Sequence, residues 1–150
     1  MSTKIVFGVR LAFLLPAWLF VAGILFQAYL AGLALMAGGP GLLTRRAIWD
    51  THIGLGHWIG ILPALMLLLV FLGRFPRATR ALTALLFGLY ILQAEVFAII
   101  RQDAPALAAL HPVLALLLFV LGLNLAWRTW KIVVMELQAN TPSSLPTPKW

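Results

Sequence analysis

The chain contains no cysteine, which excludes disulfides, thiolate metal ligands and iron–sulfur clusters. Acidic residues are nearly as scarce: Asp50, Glu95, Asp103 and Glu136 are the whole set. Serine occurs only as Ser2, Ser143 and Ser144, all near the ends, so a serine nucleophile is not expected. There is no zinc-protease helix motif, no nucleotide-binding loop and no nucleophile elbow. Charged residues make up 10% of the chain against 63% hydrophobic. A soluble domain of this size cannot hide that much apolar surface. The net charge of +7 would suit nucleic acid. The basic residues are instead gathered at the ends of apolar runs, and no basic amphipathic surface exists, so a nucleic-acid partner is excluded.

What is present is long apolar runs. The first covers residues 11–36, interrupted only by Pro16 and Gln27. It is too long for a signal peptide and reads as a membrane helix. A second runs from about residue 48 or 53 to 72, a third over 81–100, and a fourth over 106–127, continuing as helix to about Leu137. Each reaches the roughly 20 residues needed to cross a bilayer, where only helices satisfy every backbone group. The stretches AGGPG (37–41), GRFPR (73–77) and RQDAP (101–105) make the turns. Thr44 and Asp103 are candidate helix caps. The expected fold is an all-α integral membrane four-helix bundle of two helical hairpins over residues 1–138. A loose tail, 139–150, rich in Pro, Ser and Thr, follows it.

Orientation follows from the basic residues. Lys4, Arg10, Arg74, Arg77, Arg80, Arg128, Lys131 and Lys149 fall on one side; Arg45, Arg46 and Arg101 fall on the other. The excess puts both termini in the cytoplasm, in the cell's inner membrane. Trp49 and Trp58 then flank the outer interface, and Trp127 and Trp130 the inner one.

Polar residues recur at one depth. Arg10 to Gln27, His57 to Arg74 and His111 to Arg128 are each separated by 17 residues; Arg77 lies 16 from Gln93 and 18 from Glu95. At 1.5 Å rise, each polar group sits roughly 25 Å from its basic marker, toward the far side of a core about 30 Å thick. Polar side chains at such depth mark a functional site. FQAYLAGL (26–33) and LQAEVFAI (92–99) both place Gln-Ala late in an outward helix, each followed by an inward helix with a histidine near its start. Two such hairpins give approximate twofold symmetry, and bundles build cofactor sites from facing helices.

Two histidines at one depth, one from each hairpin, can fill both axial positions of a heme iron. His57 and His111 match by the count above. Gly54 and Gly60 lie three residues either side of His57 and would admit a flat macrocycle; Ala108 and Ala115 do the same beside His111, although Leu107 and Leu114 share that face. Arg45, Arg46 and Arg101 could pair with propionates. Gln27, Gln93 or Glu95 could orient an imidazole. His52 competes with His57. It lies five residues earlier, about 140° around the helix, and counting from the outer end favours it. The plainer alternatives are that the histidines and Glu95 serve as buried hydrogen-bonding groups, and that Gly56 and Gly60 serve helix packing alone. His57, His111 and Glu95 could also form a non-heme metal site.

The string FQAYLAGL … THIGLGHWIG … LQAEVFAI … ALHPVLALLLF resembles an uncharacterised group of small four-span prokaryotic membrane proteins. More distantly, over about residues 20–128, it resembles one four-helix half of heme A synthase. That resemblance implies heme ligation by His52 or His57 together with His111. The chain departs from the enzyme in having one half rather than two. It also lacks an outer-loop glutamate ahead of the first histidine, Asp50 being the nearest acid. The combined expectation is a b-type heme protein that transfers electrons on the outer side of the bilayer rather than an enzyme acting alone. Its partner would be a quinone or a respiratory or redox membrane complex. The alternative is a non-catalytic accessory subunit whose histidines are structural or ligate a pigment.

Overall fold

The structure is a computed structural model that describes residues 2–37, 42–100 and 102–140. Those residues form helices and short turns, with no strand among them. Helix α1 spans Thr3–Met36 and runs through Pro16 unbroken. Helices α2 (Leu42–Ile59) and α3 (Ile61–Leu72) form a second rod with a break at Gly60. The third rod is α4 (Arg77–Ile91), a π-helical segment (Leu92–Val96) and α5 (Phe97–Ile100). The short α6 (Pro105–Ala108) and α7 (His111–Asn140) form the fourth. Thr3–Met36, Thr44–Leu72 and Pro105–Ala139 are long and apolar enough to cross a membrane, which marks the chain as a membrane protein.

The breaks have local causes. Pro63 has no N–H for the Ile59 carbonyl, and its ring collides with that carbonyl, so α2 ends at Ile59. The Gly60 N–H turns instead to the His57 carbonyl at 3.1 Å. Pro112 does the same to Ala108, and α6 stops there. The chain then passes through Ala109 and Leu110, with the Leu110 N–H on the Leu107 carbonyl at 3.0 Å, before α7 starts at His111. Two expected caps are not used. Thr44 lies inside α2, whose helical geometry begins two residues earlier. The cap position of α6 is Ala104, with no side chain bonded to the helix end, so Asp103 stands one residue too early. Residues 38–41, Arg101 and 141–150, which include most of the AGGPG turn and most of the expected tail, lie outside the described residues.

Each rod buries one stripe with the same spacing: Phe13, Ala17, Phe20, Ile24; Ile59, Pro63, Met66, Val70; Thr79, Thr83, Leu86, Tyr90; and Leu118, Gly122, Leu125, Thr129. Steps of four, three and four keep residues on one helix face, so four such faces close on a common core. Helix α1 packs on α2–α3 and on α7, and α4 packs on α3 and α7. The first and third rods therefore sit at one pair of diagonal corners, the second and fourth at the other. Gly122 lets α1 and α7 approach closely, since a Cβ there would lie 2.9 Å from the Phe20 ring. The outward faces are also apolar, with Leu15, Trp58, Leu68, Leu116 and Val120 among the exposed side chains.

One end of the bundle is tied by Arg10. Its Nε donates to the Gly73 carbonyl at 2.9 Å and one terminal nitrogen to the Arg74 carbonyl at 3.1 Å, while the other meets the Glu136 carboxylate. Three rods thus share one guanidinium. The opposite end is open, and there the polar residues collect.

Candidate functional site: a cavity between two glutamine–histidine pairs

At the open end the rods enclose a cavity of about 700 Å³, a volume typical of cofactor and ligand sites. Gln27 from α1, His52 from α2, Gln93 from the π segment and His111 from the start of α7 all line it. Ala28, Ala31, Gly56, Ala94, Ala108 and Ala115 form much of the remaining wall. Small side chains at these positions are why the space stays open.

The polar groups form two matching pairs. In the first hairpin, Gln27 Nε2 donates to the His52 carbonyl at 3.0 Å, and His52 Nδ1 lies 3.2 Å from the Gln27 carbonyl. In the second, Gln93 Nε2 donates to the His111 carbonyl at 3.0 Å, and the His111 ring bonds to the Gln93 backbone. The weak sequence repeat is therefore a repeated piece of chemistry. The local sequence explains how the second pair forms. The π segment replaces i+4 by i+5 bonding, which widens the helix and releases carbonyl oxygens for other donors. The Pro112 break places His111 on the first turn of α7, against that segment.

The two glutamines lie on one diagonal and the two histidines on the other. The His52 and His111 rings meet across the centre with centroids 6.3 Å apart and planes inclined at 59°. Trp49 meets the His52 ring edge-on at 5.4 Å. Both glutamine Oε1 atoms are buried and have no hydrogen-bond partner among the described residues.

His57 has a different position. It is exposed, its Nδ1 lies 2.8 Å from the carbonyl of Ile53 on its own helix, and its Nε2 lies 3.7 Å from Glu95 Oε1. It touches the cavity wall, but His52 is the ring that faces His111. Gly54 and Gly60, the glycines beside His57, are not among the residues that line the cavity. A Cβ on Gly54 would meet nothing within 4 Å, and one on Gly60 would fall 2.8 Å from the Tyr90 ring. Tyr90 hydroxyl donates to the Gly56 carbonyl. Arg45 is committed to the end of α1, donating to the Ala34 carbonyl at 2.8 Å and the Leu35 carbonyl at 3.1 Å. Arg46 is exposed, and Arg101 is outside the described residues. Among the described residues no three His, Asp or Glu side chains gather as a metal cage, so His57, His111 and Glu95 are not brought together.

Sequence reasoning passed over Trp49, Tyr90, Ala28 and Ala31. Trp49 and Tyr90 each stand three residues before a candidate site residue, His52 and Gln93, and so share its face. That spacing was the available signal.

These features define a small all-α membrane protein with a paired-histidine cavity at one end. Residues 27–99 match a family of unknown function, DUF6220, in keeping with the expected likeness to an uncharacterised group. The matched stretch holds Gln27, His52, His57, Gln93 and Glu95. No curated protein and no solved structure matches the chain.

Proposed function

We propose that this protein is a four-span integral membrane protein that holds one b-type heme between His52 and His111. The observation that carries the reading is the 6.3 Å between the two ring centroids across an alanine-lined cavity. An imidazole nitrogen binds a first-row metal at about 2.0 Å and lies about 1.1 Å from its own ring centre. Two imidazoles in line on one metal therefore place their centroids about 6 Å apart. Metal-ligating histidines also give their other ring nitrogen to a carbonyl or carboxylate, which fixes tautomer and orientation. The Gln27 carbonyl does this for His52 through Nδ1, and the Gln93 backbone bonds the His111 ring.

Heme supplies reversible one-electron chemistry when bound. The residues of this chain hold the two imidazoles at fixed spacing, and the Ile, Trp and Ala walls limit water. With two histidines of this chain available to hold the group, the reading is electron transfer rather than catalysis at iron. The counted depth puts the site toward the outer side, with both termini in the cytoplasm. The distant likeness to half of heme A synthase adds to this reading. The partner is a quinone or a membrane redox complex. The accessory-subunit reading is favoured by one observation: each histidine ring already has a carbonyl partner and needs no metal to be satisfied.

A visible spectrum decides. The protein, purified in mild detergent from heme-replete cells, should show a Soret band and sharp α and β bands on reduction. His52→Ala and His111→Ala should each abolish the reduced α band, and His57→Ala should retain it. A colourless, folded preparation would overturn the proposal.

A further inference from the structure

The pair His57–Glu95 stands outside the glutamine–histidine arrangement. Both side chains are about half exposed, 54% and 49%. Close to them along their own helices, Ile53, Trp58, Val96 and Ile99 are apolar and exposed. In a bilayer this surface faces lipid, where ionisable side chains are rare and mark a functional contact. At 3.7 Å the two groups are too far apart to hydrogen-bond each other well.

The hydrogen-bond inventory of the pair is one-sided. His57 Nδ1 is turned to the Ile53 carbonyl at 2.8 Å, so in the neutral ring Nδ1 carries the proton and Nε2 is an acceptor. An ionised Glu95 is acceptor-only. Two acceptors side by side on a lipid-facing surface call for a ligand that is membrane-soluble, flat enough to lie against Trp58, and a hydroxyl donor. His57 also forms part of the cavity wall, so a ligand here lies next to the proposed redox centre.

We propose that His57 and Glu95 bind the headgroup of a membrane hydroquinone, with a ring hydroxyl donating to Glu95 and His57 Nε2 beside it as second acceptor. The reduced form is selected because an oxidised quinone offers only carbonyl acceptors to two acceptors. The inference rests on the reading above for its biological meaning. Its test does not, because it can be made without heme.

The test is a titration of heme-free protein in lipid nanodiscs with a decyl hydroquinone and, separately, its oxidised quinone, read by quenching of tryptophan fluorescence. Saturable quenching is expected, with the hydroquinone tighter by on the order of 10-fold. Glu95→Leu and His57→Ala should each weaken hydroquinone binding by a similar factor, and Asp50→Asn, a change at an exposed acid elsewhere on α2, should not. Circular dichroism of each variant separates lost binding from lost folding. The proposal is overturned by non-saturating quenching, by equal affinity for both redox forms, or by folded variants that bind like the parent. Those results would leave the surface to a lipid headgroup or another protein chain. Separately, a His52→Ala protein without heme bands that still binds hydroquinone would uphold this site apart from the fate of the heme site.

Discussion

Gln27 and Gln93 each hold a histidine by two bonds of different kinds. The ring is held by a main-chain carbonyl, and the histidine's own carbonyl is held by the glutamine side chain. Substitution separates the two. Gln93→Leu keeps the main-chain acceptor and removes only the side-chain donor, with the loss of about 0.5–1.5 kcal/mol typical of one hydrogen bond. The melting temperature in detergent should fall by a few degrees while the bis-imidazole spectrum persists. A colourless but stable Gln93→Leu protein would show that the amide itself reaches the proposed heme through Oε1, which has no hydrogen-bond partner among the described residues. Ala115→Leu tests the cavity from the other side. The added bulk enters space beside His111, so heme content should fall sharply with little change in helix content by circular dichroism. The depth count found the layer that holds Gln27, Gln93 and the histidines, because height along a helix is a simple product of residue number and rise. It did not separate His57 from His52, the first favoured from the inner end and the second from the outer, because it carries no information about azimuth or about neighbouring helices; the glycine face tipped the choice to His57. The glycine face of His57 turns out to serve Tyr90 at Gly60 and open space at Gly54, which no single-helix argument could reveal.

At the scale of elements, the ends and breaks decide where the site residues stand. The α3 terminus is a Schellman arrangement. The Phe75 N–H reaches the Val70 carbonyl at 3.2 Å and the Arg74 N–H the Phe71 carbonyl at 3.1 Å, with Arg74 at φ 48°. Glycine usually occupies that left-handed position, and other residues are disfavoured there by about 1–2 kcal/mol. Arg74→Gly should therefore stabilise the protein, raising the melting temperature by about 2–4 °C for a chain of this length. The Arg74 carbonyl that receives Arg10 is main chain and is kept. Pro112 acts in the opposite sense. Replacing it with Ala lets Ala109 and Leu110 join α6 to α7, which should raise helical ellipticity slightly. The same change rotates His111 away from Gln93, so the reduced α band should be lost. The turns at Gly73 and Ala104 were legible because Gly and Pro act locally. The π segment was not, since nothing in LQAEV distinguishes i+5 from i+4 bonding before Gln93 meets His111 across the bundle.

For the molecule as a whole, the four-, three-, four-residue stripe on every rod was hidden in the sequence by its own surroundings. Leu, Ile and Val occupy the lipid-facing sides as densely as the core, so periodicity does not separate inside from outside. What distinguishes the core is size and fit, as where Gly122 accepts Phe20. The proposed topology rests instead on the uneven placement of charge. On the proposed topology four spans would return the chain to the side where it began, and the basic excess would name that side as the cytoplasm. The absence of cysteine makes this directly testable, since any thiol introduced is the only one. Ser2→Cys and Ser143→Cys should react with a membrane-impermeant maleimide in inverted vesicles and not in intact spheroplasts, and Arg46→Cys should show the reverse. Labelling of Ser2→Cys and Ser143→Cys from opposite sides would mean an odd number of crossings. The third rod is the one to suspect in that case, because its helix is interrupted at Leu92–Val96 and it is not among the three that are long and apolar enough to cross. If that rod lay along the interface instead, Gln93 would leave the depth of Gln27, and the symmetry that brings the two histidine rings together would be lost with it.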